Sequence, residues 1–143
     1  MSKKIRPVTP EERASWPRSV IVPLEPAWTD ERGSIQPLVD VPMESCVLIS
    51  SKRGTVRANH YHRTDWHYCY VVEGEIEYYH RPHGSQSPPE KVVIRRGQMF
   101  FTPPDVDHAM VFTEDTSFLT WGRNSRAQEV YEADVVRIDP IHR

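Results

Sequence analysis

The chain has 143 residues and a formal net charge of −2, with 38% hydrophobic and 27% charged residues. This composition supports one domain with an apolar core and excludes a disordered chain. The near-neutral charge and the lack of a run of about 18 apolar residues predict that neither a nucleic acid nor a membrane is a partner.

The N-terminus is expected to form an arm over residues 1–30 with one short helix. Thr9 is a suitable N-cap, Pro10 suits the first helical position, and the acidic residues that follow favour the positive end of the helix dipole. Pro17 limits the helix to about two turns. Basic residues at the start precede no apolar stretch, so we expect no secretory signal and a cytoplasmic protein.

Residues 31–143 are expected to form one all-β domain. Short segments rich in β-branched and aromatic residues alternate with Gly, Pro, Asp and Asn, which is typical of a sandwich or barrel. The predicted strands are 19–24, 34–40, 46–51, 55–62, 67–72, 75–80, 91–95, 98–102, 108–112, 117–121 and 129–138. Residues 81–89 are predicted to form a hairpin tip. Cys46 and Cys69 lie in apolar runs and are expected to be reduced, buried thiols.

Three histidines are grouped around one predicted turn. His60 and His62 are two residues apart on a strand, so they project from the same face with a backbone separation of roughly 6.6 Å. Four residues then allow the chain to reverse, and His67 begins the next strand, where it can face the first pair. Neutral imidazole is a common ligand of transition metals. Outside the ligand set, we interpret His80, His83 and His142 as ordinary polar residues.

A fourth histidine, His108, follows a proline-rich turn later in the chain. Together with His60, His62 and His67 it would hold one divalent transition metal, such as zinc, iron, nickel or manganese. An ion with five or six ligands would retain one or two open positions for water or substrate, as catalytic metal sites do.

The first motif resembles that of the cupin superfamily, which runs Gly, five residues, His-x-His, three or four residues, Glu, six residues, Gly. Gly54, His60, His62 and Gly74 match it. His67 stands at the glutamate position. The resemblance implies a double-stranded jelly-roll barrel with a metal site, here made neutral by the replaced carboxylate.

The second motif of the same superfamily runs Gly, five residues, Pro-x-Gly, two residues, His, three residues, Asn. Gly97, Pro103 and His108 match it, whereas Asp105 replaces the glycine and Phe112 the asparagine. The two motifs together span residues 54–112. The chain is therefore expected to be a single-domain cupin of the RmlC-like type.

A narrower resemblance concerns two short segments. Residues 30–33, Asp-Glu-Arg-Gly, and residues 57–62, Arg-Ala-Asn-His-Tyr-His, are similar to cupins that act on sugar nucleotides. These cupins include deoxyhexose 3,5-epimerases, keto-sugar isomerases and the cupin domain of capsular-polysaccharide epimerase/reductases. The resemblance implies an epimerase or isomerase acting on a small keto-sugar substrate, although the 3,5-epimerases use a metal-free histidine base.

Two alternative functions remain at this stage. Histidine-bound iron with open positions suits a dioxygenase acting on a small organic substrate. The barrel is also compatible with a non-catalytic module that binds a small ligand, because a fold does not fix a function.

Further site residues are predicted from strand phase. Tyr78 is expected to point inward, where it either donates a proton or packs in the core. Arg57 and Asn59 have the opposite phase from His60, so they are expected to face away from the metal and to contact substrate or a partner. An apolar pocket lining is predicted for Met99, Phe101, Met110 and Phe112, which equally suit an ordinary core.

The outer surface predicts a homodimer. Tyr61, Tyr68 and Tyr70 alternate with inward residues and would form an exposed aromatic patch, and such patches are usually covered by a partner. The proline-rich arm with Trp16 and Trp28 would supply that cover, within the chain or across a two-fold axis.

Overall fold

The structure is a computed structural model that describes residues 5–143, so the first four residues of the predicted arm lie outside it. Its strands are β1 (Ile21–Val22), β2 (Trp28–Asp30), β3 (Gly33–Ile35), β4 (Ser45–Ser51), β5 (Val56–His62), β6 (His67–Glu73), β7 (Glu75–Pro82), β8 (Glu90–Arg95), β9 (Met99–Thr102), β10 (Val106–Phe112), β11 (Thr116–Gly122) and β12 (Val135–Arg137). The helices are α1 (Pro10–Ser15) and α2 (Gln128–Asp134). Neither described helix has the length and apolar composition that a membrane crossing requires.

The strands form two five-stranded antiparallel sheets and one separate hairpin. The first sheet has the order β1-β9-β6-β11-β4, and the second has the order β12-β5-β10-β7-β8. Within the described residues, strands β2 and β3 pair with each other and with no other strand. Since most neighbours in each sheet are distant in sequence, the architecture is the expected jelly roll and not a chain of hairpins.

The core lies between the two sheets. Along β11 every second residue is buried, which is the period-two pattern of a strand with one inward face. Rings from opposite sheets meet at the centre: Phe112 of β10 lies 5.8 Å from Phe118 of β11, and Tyr78 lies 5.3 Å from Phe100. The first sheet therefore packs face to face on the second, and the histidines of β5, β6 and β10 belong to strands of both.

The predicted N-terminal helix is confirmed with its cap. The Thr9 hydroxyl accepts a hydrogen bond from the Glu12 backbone N–H, and the Glu12 carboxylate accepts one from the Thr9 N–H. This reciprocal arrangement is a capping box, with Pro10 at the start of the helix. Beyond α1, the arm reaches the first sheet through Ile21 and Val22, which pair with β9.

Three predicted strands differ from the structure. Segments 19–24 and 34–40 form strands over only two and three residues, where prolines interrupt them. Segment 129–138 is wrong as a strand, since it forms α2 followed by the short β12. Val130 and Asp134 are both buried, and a spacing of four residues places them on one helix face. In a segment of seven residues, two buried positions four residues apart also fit the every-second-residue burial of a strand, so the sequence pattern does not separate the two.

Both cysteines are free thiols, as predicted, but only Cys69 is buried. Cys46 lies on the edge strand β4 and is exposed, so its predicted burial is wrong. Its outward phase on β4 is opposite to the inward phase of Cys69 on β6.

Candidate functional site

Three of the predicted ligands meet between β5 and β10. His108 lies directly opposite His60 in the antiparallel register of these strands, and His62 is two residues further along β5. The ring centroids of His60 lie 4.8 Å from His62 and 4.7 Å from His108. The potential ligand nitrogens of all three histidines lie within 4.8 Å of one another.

Two of these imidazoles, His60 and His108, are neutral. Burial and the neighbouring histidines together lower the pKa of His60 to about 2. Burial likewise lowers the pKa of His108 to about 3. A neutral ring retains a nitrogen lone pair, so the group can bind a cation without first losing protons.

In His108 and His62, the Nδ1 nitrogen faces a hydrogen-bond acceptor. His108 Nδ1 lies 3.0 Å from the carbonyl oxygen of Val106, and His62 Nδ1 lies 3.2 Å from Asp134 Oδ2. A proton on Nδ1 donates to that acceptor and leaves the Nε2 lone pair free. Metal-binding histidines in proteins commonly have such a carbonyl or carboxylate partner, which fixes the tautomer and ring orientation.

The carboxylate behind His62 is itself firmly held. Asp134 Oδ1 accepts hydrogen bonds from the Thr64 N–H at 2.8 Å and the Thr64 hydroxyl at 2.6 Å, and Oδ2 accepts one from the Asp65 N–H at 3.3 Å. Burial raises the pKa of Asp134, but these hydrogen bonds and the one from His62 together lower it below its usual value. Asp134 is therefore an ionised carboxylate that accepts a hydrogen bond from His62 Nδ1–H.

His67 lies beside the three-histidine group and outside it. Its ring centroid is 5.0 Å from that of His62, and both side chains line one cavity. Its Nε2, however, lies 3.3 Å from Asp65 Oδ2. Burial lowers the pKa of His67 well below its usual value, which leaves it neutral as well.

The donor set fits a divalent transition metal. Zinc–imidazole bonds are about 2.0–2.1 Å long, which places adjacent ligand nitrogens roughly 3 Å apart, and the nitrogens of these three rings lie within 4.8 Å of one another, so the rings would rotate inward to hold an ion. Imidazoles are suitable ligands for zinc, iron, nickel and copper, and His62 and His108 have the fixed Nδ1 partners that commonly accompany metal-binding histidines. His60, His62 and His108 form the core of the set, and His67 is a fourth, peripheral candidate.

The three histidines open into a cavity of about 210 Å³. Besides the four histidines, its lining consists of Val47, Ile49, Arg57, Cys69, Thr102, Thr120, Arg126 and Tyr131. Arg57 and Arg126 are exposed, and neither guanidinium forms an ion pair with any carboxylate in residues 5–143. The cavity therefore combines converging imidazoles with two guanidiniums that form no ion pair among the described residues.

Arg57 corrects the strand-phase prediction. The pairing of β5 with β10 shifts register between His108 and Ala109, and Ala58 and Asn59 have positive φ angles of 72° and 56°. This bulge reverses the side-chain alternation, so Arg57 lines the histidine cavity instead of facing away from it. Its Nε donates to the Ser51 hydroxyl at 2.6 Å, which fixes the guanidinium.

Asn59 faces away from the cavity, as predicted, and contacts the end of the chain. Its side-chain oxygen accepts a hydrogen bond from the Ile141 N–H at 2.9 Å, and its amide nitrogen lies 3.1 Å from His142 Nδ1. The structure thus gives Asn59 partners within its own chain.

Tyr78 points into the core. It is 1% exposed, and its hydroxyl lies 2.8 Å from Thr102 Oγ1. Thr102 lines the histidine cavity. Tyr78 is not among its lining residues, although its ring lies 6.1 Å from that of His108, and it lines a neighbouring cavity with His80. Burial raises the pKa of Tyr78, so its hydroxyl keeps its proton.

The four predicted apolar lining residues lie elsewhere. Phe112 belongs to the core cluster, and Met110 packs against that cluster. Phe101 lies opposite Tyr68 and contacts Trp16 with ring centroids 6.2 Å apart, which places it against the arm. Met99 is 1% exposed and has the same strand phase as Phe101. None of the four is among the residues that line the histidine cavity.

Sequence reasoning missed several groups at the site. Asp134 and Tyr131 lie on α2, a segment predicted as a strand, so neither had a predicted direction. Asp65 lies in the turn between His62 and His67. An acidic residue between two predicted ligands could have indicated a carboxylate that contacts one of them. Arg126, whose guanidinium carbon lies 3.8 Å from the centre of the Tyr131 ring, had no signal in the sequence.

The Cupin domain family matches residues 47–121, which is more than half of the chain and includes every histidine of the site. The chain belongs to the cupin family. No curated protein matches this cupin over its sequence.

Solved structures similar to this cupin share its fold. A dTDP-4-dehydrorhamnose 3,5-epimerase from Sulfolobus tokodaii has a TM-score of 0.63 at 19% identity, covering 79% of this chain and 73% of its own. A 3,4-ketoisomerase from Helicobacter canadensis has a TM-score of 0.68 at 16% identity, covering 82% and 89%. The capsular polysaccharide assembling protein CapF from Staphylococcus aureus has a TM-score of 0.60 at 20% identity, and the match covers 82% of this cupin but 35% of CapF.

Proposed function

We propose that this cupin is a metal-dependent isomerase or epimerase that acts on a nucleotide-linked keto-sugar. The observation that carries the proposal is one cavity in which three converging histidines lie deeper than two exposed guanidiniums, those of Arg57 and Arg126, at its mouth. The similar folds include a dTDP-4-dehydrorhamnose 3,5-epimerase and a 3,4-ketoisomerase mutant that was solved in complex with TDP-4-keto-6-deoxyglucose.

The positive mouth suits an anionic substrate. Arg57 and Arg126 lack carboxylate partners, and guanidinium groups bind phosphate oxygens through paired N–H donors. A nucleotide diphosphate supplies two adjacent phosphates. The cavity of about 210 Å³ has room for a sugar ring but not for a complete sugar nucleotide, so the nucleotide would extend past the arginines to the surface.

The chain's residues supply the remaining chemistry. A divalent metal on His60, His62 and His108 would polarise a ketone oxygen and acidify the adjacent C–H bond. Tyr131 lines the cavity with its ring 6.0 Å from that of His62, and burial raises its pKa, so its hydroxyl holds a proton at neutral pH. We propose that neutral His67, which lines the same cavity, accepts the proton that leaves this carbon, and that the Tyr131 hydroxyl donates its proton to the substrate. Return of one proton from His67 and of one to Tyr131 at the new positions completes the isomerisation and restores both groups.

The test is exchange of a sugar C–H proton with solvent. Metal-loaded protein is incubated in D₂O with TDP-4-keto-6-deoxyglucose, and deuterium at the carbon beside the ketone is followed by NMR. We expect exchange above the protein-free rate, at least about a tenfold lower rate in Tyr131→Phe, and a raised KM in Arg57→Ala. Tyr70→Phe, on the outward face of β6, is the matched control and should retain wild-type exchange.

Absence of exchange in the metal-loaded protein would overturn the proposed isomerase. Oxygen consumption by the iron-loaded protein in the presence of a small organic substrate would instead favour a dioxygenase. Binding of TDP without either reaction would favour a non-catalytic role.

We also propose that the protein is a homodimer joined through the β2–β3 hairpin. Trp28 and Ile35 lie directly opposite each other and are 69% and 68% exposed. A two-stranded hairpin is marginally stable alone, and a second copy would cover this apolar pair. Trp16 of the arm contacts Phe101, Tyr68 packs against Phe101, and Tyr61 stacks on His83. Among residues 5–143, Trp28 is the one exposed aromatic residue.

Light scattering at micromolar concentration tests the dimer. We expect twice the 16.7 kDa mass of one chain, and a monomer for Trp28→Ser with unchanged circular dichroism. A wild-type monomer would contradict the proposal.

A further inference from the structure

Arg123 is a buried connection between the N-terminal arm and the domain. It is 2% exposed, and its five guanidinium N–H donors make five hydrogen bonds. Nε and Nη2 donate to the Glu12 carboxylate at 3.1 and 3.0 Å. Nη1 and Nη2 also donate to the carbonyl oxygens of Arg6 at 2.6 Å and Pro7 at 2.9 Å. The fifth bond runs from Nη1 to Asn124 Oδ1 at 3.0 Å, so the arm reaches the residue beside Arg123.

Asn124 extends this connection towards the histidines along two routes. Its backbone N–H donates to Asp65 Oδ1 at 2.9 Å. Its side-chain Nδ2 donates to the Thr64 hydroxyl at 2.9 Å, and that hydroxyl donates to Asp134 Oδ1 at 2.6 Å. A hydroxyl has one proton, so a hydrogen bond from Asn124 to its oxygen favours the rotamer that points this proton at Asp134.

Both routes end on a carboxylate that contacts one imidazole. Asp134 Oδ2 lies 3.2 Å from His62 Nδ1, and Asp65 Oδ2 lies 3.3 Å from His67 Nε2. Asn124, Asp65 and Asp134 are each at most 6% exposed. Rotation of either carboxylate would therefore turn an imidazole without competition from bulk water.

We infer that Asn124 is a positioning residue for the histidine centre, held in turn by the arm through Arg123. The expected effect on metal affinity rests on the proposed metal site, whereas the hydrogen bonds from Asn124 to the two carboxylates do not. Asn124 itself does not line the cavity and would contact neither metal nor substrate. Its amide sets the orientation of Asp134 through Thr64, and this orientation sets the tautomer and direction of His62.

The experiment compares Thr64→Val with Thr64→Ser, alongside Asn124→Ala. Valine has the shape of threonine but breaks the relay, whereas serine keeps the hydroxyl. The matched control is Gln36→Ala, which removes a carboxamide that donates to the carbonyl oxygens of Glu25 and Pro37, outside the cavity. Two quantities are measured: zinc affinity by calorimetry, and the His62 tautomer by ¹⁵N NMR of the metal-free protein.

We expect zinc binding to weaken by about tenfold to a hundredfold in Thr64→Val and Asn124→Ala, as for other residues that orient metal-binding histidines. Thr64→Ser should retain at least half of the wild-type affinity. In the metal-free protein, His62 should carry its proton on Nδ1 in the wild type and in Thr64→Ser, and lose this preference in Thr64→Val.

Wild-type affinity and an unchanged His62 tautomer in Thr64→Val would overturn the inference. If wild-type protein binds no zinc, the metal part of the proposed function fails, and the NMR comparison still decides whether the relay orients His62. An unfolded Asn124→Ala does not affect the outcome, because the two Thr64 variants leave Asn124 in place.

Discussion

Replacement of His60, His62 or His108 by alanine is expected to abolish high-affinity binding of a divalent metal, with zinc affinity at least about a hundredfold below that of the wild type. The nitrogens of these three rings lie within 4.8 Å of one another, so each loss removes one of three converging ligands. His67→Ala should weaken binding less, because its Nε2 is directed towards Asp65. Elemental analysis of protein purified without chelator, followed by calorimetric titration, measures both effects.

His83→Ala is the control for this series. His83 stacks on Tyr61 and contacts Asp107 away from the cavity, so its loss should leave zinc binding unchanged. Metal should also raise the melting temperature of the wild type, since a ligand at a hundredfold excess over its Kd stabilises the folded state by about 2.7 kcal/mol. Wild-type affinity in His108→Ala would contradict the assigned centre.

Arg123→Met is expected to lower the free energy of unfolding by about 2–4 kcal/mol. The substitution leaves the carbonyl oxygens of Arg6 and Pro7 and the side-chain oxygen of Asn124 without their donor, and it removes the partner of Glu12. It also removes the guanidinium that lies 5.1 Å from the Trp66 ring. Urea unfolding of the metal-free protein measures the change.

Arg137→Met provides a matched comparison, because Arg137 also forms a bidentate ion pair with a glutamate, Glu132. That pair is exposed, with side-chain exposures of 63% and 42%, so water screens it and its loss should leave stability close to that of the wild type. Equal effects of the two substitutions would contradict a specific role for buried Arg123 in attaching the arm.

The capping box of α1 shows which features follow from local sequence. Thr9, Pro10 and Glu12 interact within one turn, so residue type and spacing suffice to predict the helix. Segment 129–138 shows the limit, because buried positions four residues apart in a short segment fit a helix and approximate a strand. The helix is favoured because Val130 and Asp134 are buried against segments of the domain that are distant in sequence.

The site divides in the same way. The spacing of His60, His62 and His108 relative to glycines and prolines sufficed to predict one cluster, since strand alternation and adjacent pairing bring these rings together. The direction of Arg57 did not follow, because a bulge of one residue reverses the alternation and results from pairing with β10.

The all-β cupin architecture, the capped N-terminal helix and the cluster of His60, His62 and His108 follow from residue type at short and regular spacing. The contact of Asp134 with His62, the places of Arg126 and Tyr131 at the cavity, and the link from the arm through Asn124 result from the packing of distant segments. His62 and Asp134 are 72 residues apart in sequence. Their contact depends on how β5, the adjacent turn and α2 pack together, and no local pattern encodes that packing.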